Sequence, residues 1–235
     1  MRLYEAAIAC RAYTAFGGEF DDSFRQFVAK TGGALHLELD DCGSALMKWL
    51  NEWGCRQFAK EYHGDALERI RLWALKHLRD LPDEAASIME LKDSDIHRAA
   101  GAFGVLKELQ ASEKRTRHGL VSVRVGATGA AKIMYALRPW ALPRWDDAIR
   151  DRLHCDGSPD SYASFIRRVI HEVEELLADA AKHGVSNSQL AAMIGRSEST
   201  LPKIVDEYFW VTFTRGFVVP QVPELQTWAR WCGVI

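Results

Sequence analysis

The sequence predicts an all-α fold, a two-lobed helical bundle with a cleft between the lobes. Apolar side chains recur at helical spacing through most of the 235 residues. Strand-like alternation is visible only in residues 120–125. Hydrophobic residues make up 48% of the chain and charged residues 26%, which is typical of a globular protein and excludes a disordered chain.

The helices are predicted from apolar side chains at intervals of three and four residues. Residues 161–183 give the clearest pattern, because Tyr162, Phe165 and Val169 fall on one face and Gly184 follows as a helix stop. Similar patterns predict helices at 40–53, 66–79, 83–91 and 93–109.

The segments between these helices set the predicted organisation. Polar residues 110–119 indicate a linker or mobile loop, and residues 120–125 indicate a strand or an extended lead-in to the next helix. Residues 186–208 predict two short helices joined at Gly195; the second is too acidic to suit a DNA groove, which favours a structural helical hairpin. We expect a single compact unit of residues 1–235. Its parts are a helical lobe at 35–115, a hairpin and catalytic segment at 116–160, and a long helix with a helical hairpin at 161–235.

Charge is unevenly distributed along the chain. The formal net charge is −2, yet residues 107–152 contain ten Lys and Arg against five Asp and Glu. A basic face on an acidic body is compatible with a polyanionic partner. A solvated surface with chance clustering explains the same numbers.

Several classes of protein are excluded by what the sequence lacks. No run of 18 apolar residues predicts a membrane span, and no apolar signal-peptide segment follows Met1, so we expect a cytoplasmic protein without a membrane partner. The five cysteines are widely spaced without a Cys-x-x-Cys pair, and the eight histidines are scattered. We therefore expect no disulfide framework, no metal site and no cofactor.

Residues 125–150 carry the strongest functional signal. Gly126 and Gly129 predict a tight turn, followed by a helix to about residue 137 and a loop bounded by Pro139 and Pro143. Backbone N–H groups of such a turn, at a helix N-terminus, can bind one DNA phosphate. Asp146 and its neighbour at 147 then fall in the first turn of the next helix.

This run resembles the helix-hairpin-helix DNA glycosylases, whose shared pattern is a glycine hairpin, an alanine-containing helix and a Pro-x-Asp segment that carries the catalytic aspartate. The matching residues here are Gly126 to Gly129, then 130–137, then Pro143 to Asp146. Two departures are that the hairpin reads Gly-Ala-Thr-Gly and that the proline stands three residues before the aspartate rather than two.

The resemblance implies a helix-hairpin-helix element and hydrolysis of the bond between a DNA base and its sugar. The target base leaves the stack and enters a pocket, and Asp146 stabilises the oxocarbenium-like sugar and activates water. Asp147 is the alternative carboxylate because a slip of one residue is possible. The competing interpretation of Asp146 is a helix N-cap without chemistry.

The resemblance also assigns supporting roles. Lys132 would form a Schiff base only in an enzyme that also cuts the strand; it lies about one turn too late for that, so we expect a monofunctional enzyme in which Lys132 contacts phosphate. A flipped base needs an aromatic surface, for which Trp49, Trp53 and Trp145 are candidates, although core packing is the alternative for each. The expected DNA contacts are Gly126, Thr128, Gly129, Lys132, Arg144, Arg150, Arg115, Arg117 and His118.

Three functions remain open at this point. The first is a DNA glycosylase that leaves an abasic site, in base repair or in defence against phage DNA with modified bases. The second is a DNA-binding or regulatory helical protein without catalysis. The third is a helical interaction protein with no role on DNA.

Overall fold

The computed structural model describes residues 1–32 and 35–233, and it confirms the all-α prediction. Within these ranges the chain forms ten α-helices and one antiparallel pair of strands. In chain order the first elements are α1 (Leu3–Thr31), α2 (Asp40–Glu52), α3 (His63–His77), α4 (Asp93–Glu108), β1 (Gln110–Thr116) and β2 (Gly119–Arg124). The others are α5 (Gly126–Leu137), α6 (Asp147–Arg152), α7 (Pro159–Lys182), α8 (Asn187–Met193), α9 (Leu201–Phe209) and α10 (Val222–Trp231).

Four of the predicted helices are present close to their predicted bounds, as α2, α3, α4 and α7. Helix α7 begins at a strong N-cap, since the Ser158 hydroxyl accepts a hydrogen bond from the Ser161 N–H at 3.1 Å and Pro159 follows directly. The prediction at 83–91 is wrong in extent: only Ile88–Glu90 turns helically, as a single 3₁₀ turn. The two short helices predicted within 186–208 are confirmed as α8 and α9.

Helix α1 has no counterpart in the sequence-based assignment, although it is the longest helix described. Its backbone departs from helical angles at Gly17, which divides it into two halves. Tyr13 on the first half and Phe27 on the second are buried, and α1 packs against α2, α7 and α9. Both halves of α1 therefore contribute side chains to the buried interior.

The strand pair lies where the sequence predicted a loop followed by a strand. The prediction at 120–125 is confirmed as β2, whereas the linker predicted at 110–119 is wrong, because residues 110–116 pair with β2. The turn is two residues long, Arg117 and His118, and Gly119 after it has a φ of 115°, a conformation that glycine adopts freely. Strand β1 is mostly polar and its last three residues are exposed, so it lacks the apolar alternation that reveals a strand in a sequence.

Most of the core is one contiguous cluster of buried apolar side chains that runs from Met1 to Phe209, and a smaller cluster contains Ala9, Tyr13 and Val211. Each of the three segments that the sequence predicted as parts of the molecule contributes to the larger cluster, and so does α1. Helix α4 packs against both α5 and α7. No described helix is both long enough and apolar enough to cross a membrane.

Candidate functional site

The predicted catalytic segment lines a cavity of about 310 Å³. We call it the Asp146 cavity. It lies where the middle of α1, the end of α2, the N-terminal parts of α5 and α6, and the turn after α9 approach one another. Six residues that the sequence singled out meet there: Trp53, Thr128, Lys132, Arg144, Asp146 and Asp147.

The Asp146 carboxylate faces this cavity and also caps α6. Its Oδ1 accepts a hydrogen bond from the Ile149 N–H at 2.8 Å, and its Oδ2 accepts one from the Thr214 hydroxyl at 3.1 Å. The interpretation of Asp146 as a helix N-cap is thus correct. Because the same side chain lines the cavity, the cap also holds a half-buried carboxylate in a fixed orientation.

The Asp147 carboxylate joins α6 to α5. Its Oδ1 accepts hydrogen bonds from the Thr128 hydroxyl and from Nη2 of Arg150, each at 2.6 Å. These hydrogen bonds, the one from Thr128 first, lower the pKa of Asp147. The side chain is 76% exposed, so Asp147 lies at the rim of the cavity rather than inside it.

The glycine hairpin predicted at residues 126–129 does not exist as a separate turn, which is a correction to the helix-hairpin-helix element. Helix α5 already begins at Gly126, and a β-hairpin rather than a helix precedes it. Gly126 has a φ of 70°, which requires glycine. Gly129 is buried inside the helix, and a Cβ there would lie 2.6 Å from Nε2 of Gln57, so it serves close packing and not DNA contact.

Lys132 is 5% exposed, and its Nζ donates a hydrogen bond to the Trp53 carbonyl. Removal of the amine from water lowers its pKa. The prediction that Lys132 contacts a DNA phosphate from the protein surface is therefore wrong. Its amine lies in the wall of the Asp146 cavity.

Arg144 is also buried, at 8% exposure, and the prediction that it contacts DNA is wrong. It forms an ion pair with Asp206 of α9, with 2.5 Å between Nη2 and Oδ2. Its guanidinium carbon lies 3.8 Å from the centre of the Trp53 ring. Burial raises the pKa of Asp206 to about 6. Arg144 therefore fixes the wall of the cavity instead of meeting a phosphate.

Of the three tryptophans proposed for a base pocket, only Trp53 lines the Asp146 cavity. Its Nε1 donates to the Ser23 hydroxyl at 2.8 Å, which fixes the ring. Trp49 is 1% exposed beside Phe27, and Trp145 is fully buried beside Tyr162, so the prediction is wrong for both. They are core residues because their rings pack against other buried aromatic rings, Trp49 against Phe27 and Trp145 against Phe165.

Four further residues that the sequence analysis missed line the cavity, in addition to Gly54 and Ala148: Tyr13, Phe20, Trp210 and Thr214. The Trp210 ring stands edge-on to Tyr13, with 5.2 Å between centroids, and to Phe20, with 6.2 Å. Aromatic residues at helical intervals in 13–27 could have revealed α1 as a helix. Nothing in the sequence indicates that the π-helical turn Trp210–Thr214 would meet it.

The remaining predicted DNA contacts lie outside the cavity. Arg150 is half-buried and pairs with Asp147 at the rim. Arg115, Arg117 and His118 are exposed at the far end of the β-hairpin, where Nε of Arg117 donates to Nε2 of His118 at 2.9 Å.

A buried cluster of charges separates the Asp146 cavity from a second, larger one. It contains the Arg144–Asp206 pair together with Lys203 and Arg196, which pair with Glu207 and Asp21. The second cavity, of about 600 Å³, lies between α1 and the turn before α9. Every buried charge here has an opposite partner, as burial requires.

Comparisons of the chain with models of protein families, with curated proteins and with solved structures find no match. The resemblance to helix-hairpin-helix glycosylases therefore rests on residues 125–150 and stays a prediction. Among residues 1–32 and 35–233, no three His, Cys, Asp or Glu side chains are placed to hold a metal ion together.

Proposed function

We propose that this protein is a DNA glycosylase that receives a flipped-out base in the Asp146 cavity and hydrolyses its glycosidic bond, leaving an abasic site. One observation carries the proposal: a fixed, half-buried carboxylate and several aromatic side chains line one cavity of about 310 Å³. Binding sites for small organic groups begin at about this size and combine apolar walls with a few placed polar groups.

Asp146 is the better of the two carboxylates for the reaction. Departure of the base leaves positive charge on the sugar, and a nearby carboxylate stabilises that charge and accepts a proton from the attacking water. Asp146 is half-buried and held by the α6 backbone, whereas the Asp147 side chain is 76% exposed at the rim of the cavity. A sheltered carboxylate acts more strongly because water screens it less.

The aromatic walls supply a place for the base. The edge-on arrangement of Trp210 with Tyr13 and Phe20 leaves apolar surface at the cavity, and bases in enzyme pockets are held by stacking on such surfaces. Trp53 has one face covered by Arg144, so it shapes the wall rather than stacking on the base.

The proposed enzyme is monofunctional. A Schiff base requires a neutral amine directed at the sugar. The pKa of Lys132 is lowered, but its amine donates to the Trp53 carbonyl and would have to leave that bond to react. Hydrolysis by water then needs no cofactor. The substrate would be cytoplasmic, nucleoid DNA, either damaged bases in repair or modified bases of phage DNA.

The test is a base-release assay. Duplexes with uracil, alkylated or oxidised bases, and phage DNA with hydroxymethylated or glucosylated cytosine, are incubated with the protein, and abasic sites are detected as breaks after hot alkali. We expect breaks with one substrate class and their loss, by at least about 100-fold, in Asp146→Asn. Asparagine is also a good N-cap, so this variant should keep α6.

Two controls make the outcome specific. Asp65→Asn makes the same change at an exposed first-turn position of α3 and should leave base release unchanged. If Asp147→Asn loses activity and Asp146→Asn retains it, the catalytic role belongs to Asp147 and not to Asp146. Breaks before alkali would point to Lys132 and strand cleavage, and DNA binding without any base release would favour the non-catalytic DNA-binding function.

A further inference from the structure

The far end of the β1–β2 hairpin, residues 114–122, is exposed at every position. We call it the hairpin end. The base of the hairpin, by contrast, is anchored: the Ser112 hydroxyl donates to the Gln57 carbonyl at 2.7 Å, and Nε2 of Gln57 donates to the Val125 carbonyl at 2.8 Å. An anchored ribbon thus presents an end that no other described element covers.

The hairpin end is strongly basic in a chain of net charge −2. It contains Lys114, Arg115 and Arg117 and no Asp or Glu. In the part of the chain that the structure describes, none of these three forms an ion pair with a carboxylate. Unpaired cations on a projecting element are complementary to a polyanion.

The strand register places an apolar side chain beside a cation on each face of the ribbon. Arg115 is opposite Leu120, and Lys114 is opposite Val121. Residues directly opposite each other in an antiparallel pair lie on the same face. Leu120 is 65% exposed and Val121 is 49% exposed, so both faces offer an apolar contact next to a charge.

The hairpin also leads directly into the Asp146 cavity. Strand β2 ends at Arg124, α5 begins at Gly126, and Thr128 in the first turn of α5 lines the cavity. The hairpin end and the Thr128 wall of the cavity therefore belong to one continuous segment of the chain, residues 114–128.

We infer that the hairpin end binds double-stranded DNA by lying in its major groove, beside the nucleotide that enters the Asp146 cavity. The inference rests on the proposed function for that nucleotide. The major groove of B-form DNA is about 12 Å wide and admits a two-stranded ribbon. Duplex RNA has a deep, narrow major groove that side chains cannot read, so the geometry favours DNA. The cations contact phosphates, and Leu120 and Val121 contact base edges.

Equilibrium binding of an unmodified duplex, measured by fluorescence anisotropy over a series of salt concentrations, tests this inference. The variant Lys114→Gln/Arg115→Gln/Arg117→Gln removes three cations that neutralise phosphates. The plot of log affinity against log salt should become shallower by about 2.7, which is about 0.9 for each phosphate that the variant leaves without a cation. The matched control Lys30→Gln/Lys76→Gln/Lys182→Gln removes three exposed cations elsewhere and should keep the wild-type slope.

A second variant tests whether Leu120 and Val121 contact base edges in the groove. Leu120→Ser/Val121→Ser keeps all charges, so it should weaken binding several-fold at every salt concentration without changing the slope. Circular dichroism verifies that each variant unfolds as the wild type does. An unchanged slope in the triple variant, unchanged affinity in the serine variant, equal affinity for duplex RNA, or no duplex binding by the wild type would each overturn the inference.

Failure of this inference is distinguishable from failure of the proposed function. If no DNA loses a base but the hairpin variants lose binding as expected, only the catalytic proposal fails. If the wild type releases a base and the triple variant does so with the same KM, only the hairpin inference fails.

Discussion

The ten Lys and Arg residues between positions 107 and 152 include two physically different groups. Lys114, Arg115 and Arg117 are exposed at the hairpin end. Lys132 and Arg144 are 5% and 8% exposed, and they bind a backbone carbonyl and a carboxylate. A charge count along the sequence adds the two groups together, although only the first can meet a polyanion.

The difference follows from the energy of solvation. A cation in water needs no protein partner, and its side chain stays free to reach a phosphate. A buried cation loses several kcal/mol of solvation and remains charged only when a carboxylate or carbonyl compensates for it. Arg144 therefore belongs to the architecture of the Asp146 cavity through Asp206 and Trp53.

The largest expected effect comes from breaking the buried pair. Arg144→Met leaves the Asp206 carboxylate buried without its partner, and we expect the free energy of unfolding in urea to fall by about 3–5 kcal/mol. The double variant Arg144→Met/Asp206→Leu replaces both charges by apolar groups and should recover most of that loss. Wild-type stability in the single variant would contradict the burial of this pair.

A smaller effect is expected on how the free energy of unfolding depends on pH. The pKa of Asp206 is raised to about 6 in the folded protein, against about 3.9 in an unfolded chain. The folded state therefore binds more protons between pH 4 and pH 6, and its stability falls as pH rises through this window, by up to about 3 kcal/mol from this group. Urea unfolding at several pH values measures this contribution as the difference between the wild type and Asp206→Asn, because carboxylates with a lowered pKa, such as Asp21 and Glu172, change stability in the opposite direction. This difference should decline as pH rises through the window, and a difference that does not change with pH would exclude Asp206 as its source.

The smallest effect is expected at the hairpin end. Arg115→Gln/Arg117→Gln removes two exposed charges that bind no carboxylate, so the free energy of unfolding should change by less than about 0.5 kcal/mol. Thermal unfolding by circular dichroism is a sufficient measurement. A change as large as that expected for Arg144→Met would show that these residues are structural and would remove the contrast between the two groups.

The sequence by itself determined the helical class of the protein and part of its site. Apolar side chains at intervals of three and four residues define α2, α3, α4 and α7, because an amphipathic face is a local property of the chain. Asp146 and Asp147 were also identified from a local pattern, the run of glycines, helix, prolines and aspartates in residues 125–150. Thr128 and the two aspartates of this segment line the same cavity, where the Thr128 hydroxyl donates a hydrogen bond to Asp147.

The tertiary structure decided which side chains surround those aspartates and which cations remain free. Tyr13 and Trp210 are distant in the sequence, yet their rings are 5.2 Å apart at the cavity. Arg144 looks like a surface cation until Asp206 of α9 is placed beside it. Such pairings depend on how whole helices pack, and no local pattern of residues encodes them. The polar strand β1 was invisible for the same reason, because its structure comes from its pairing with β2 and not from a buried face of its own.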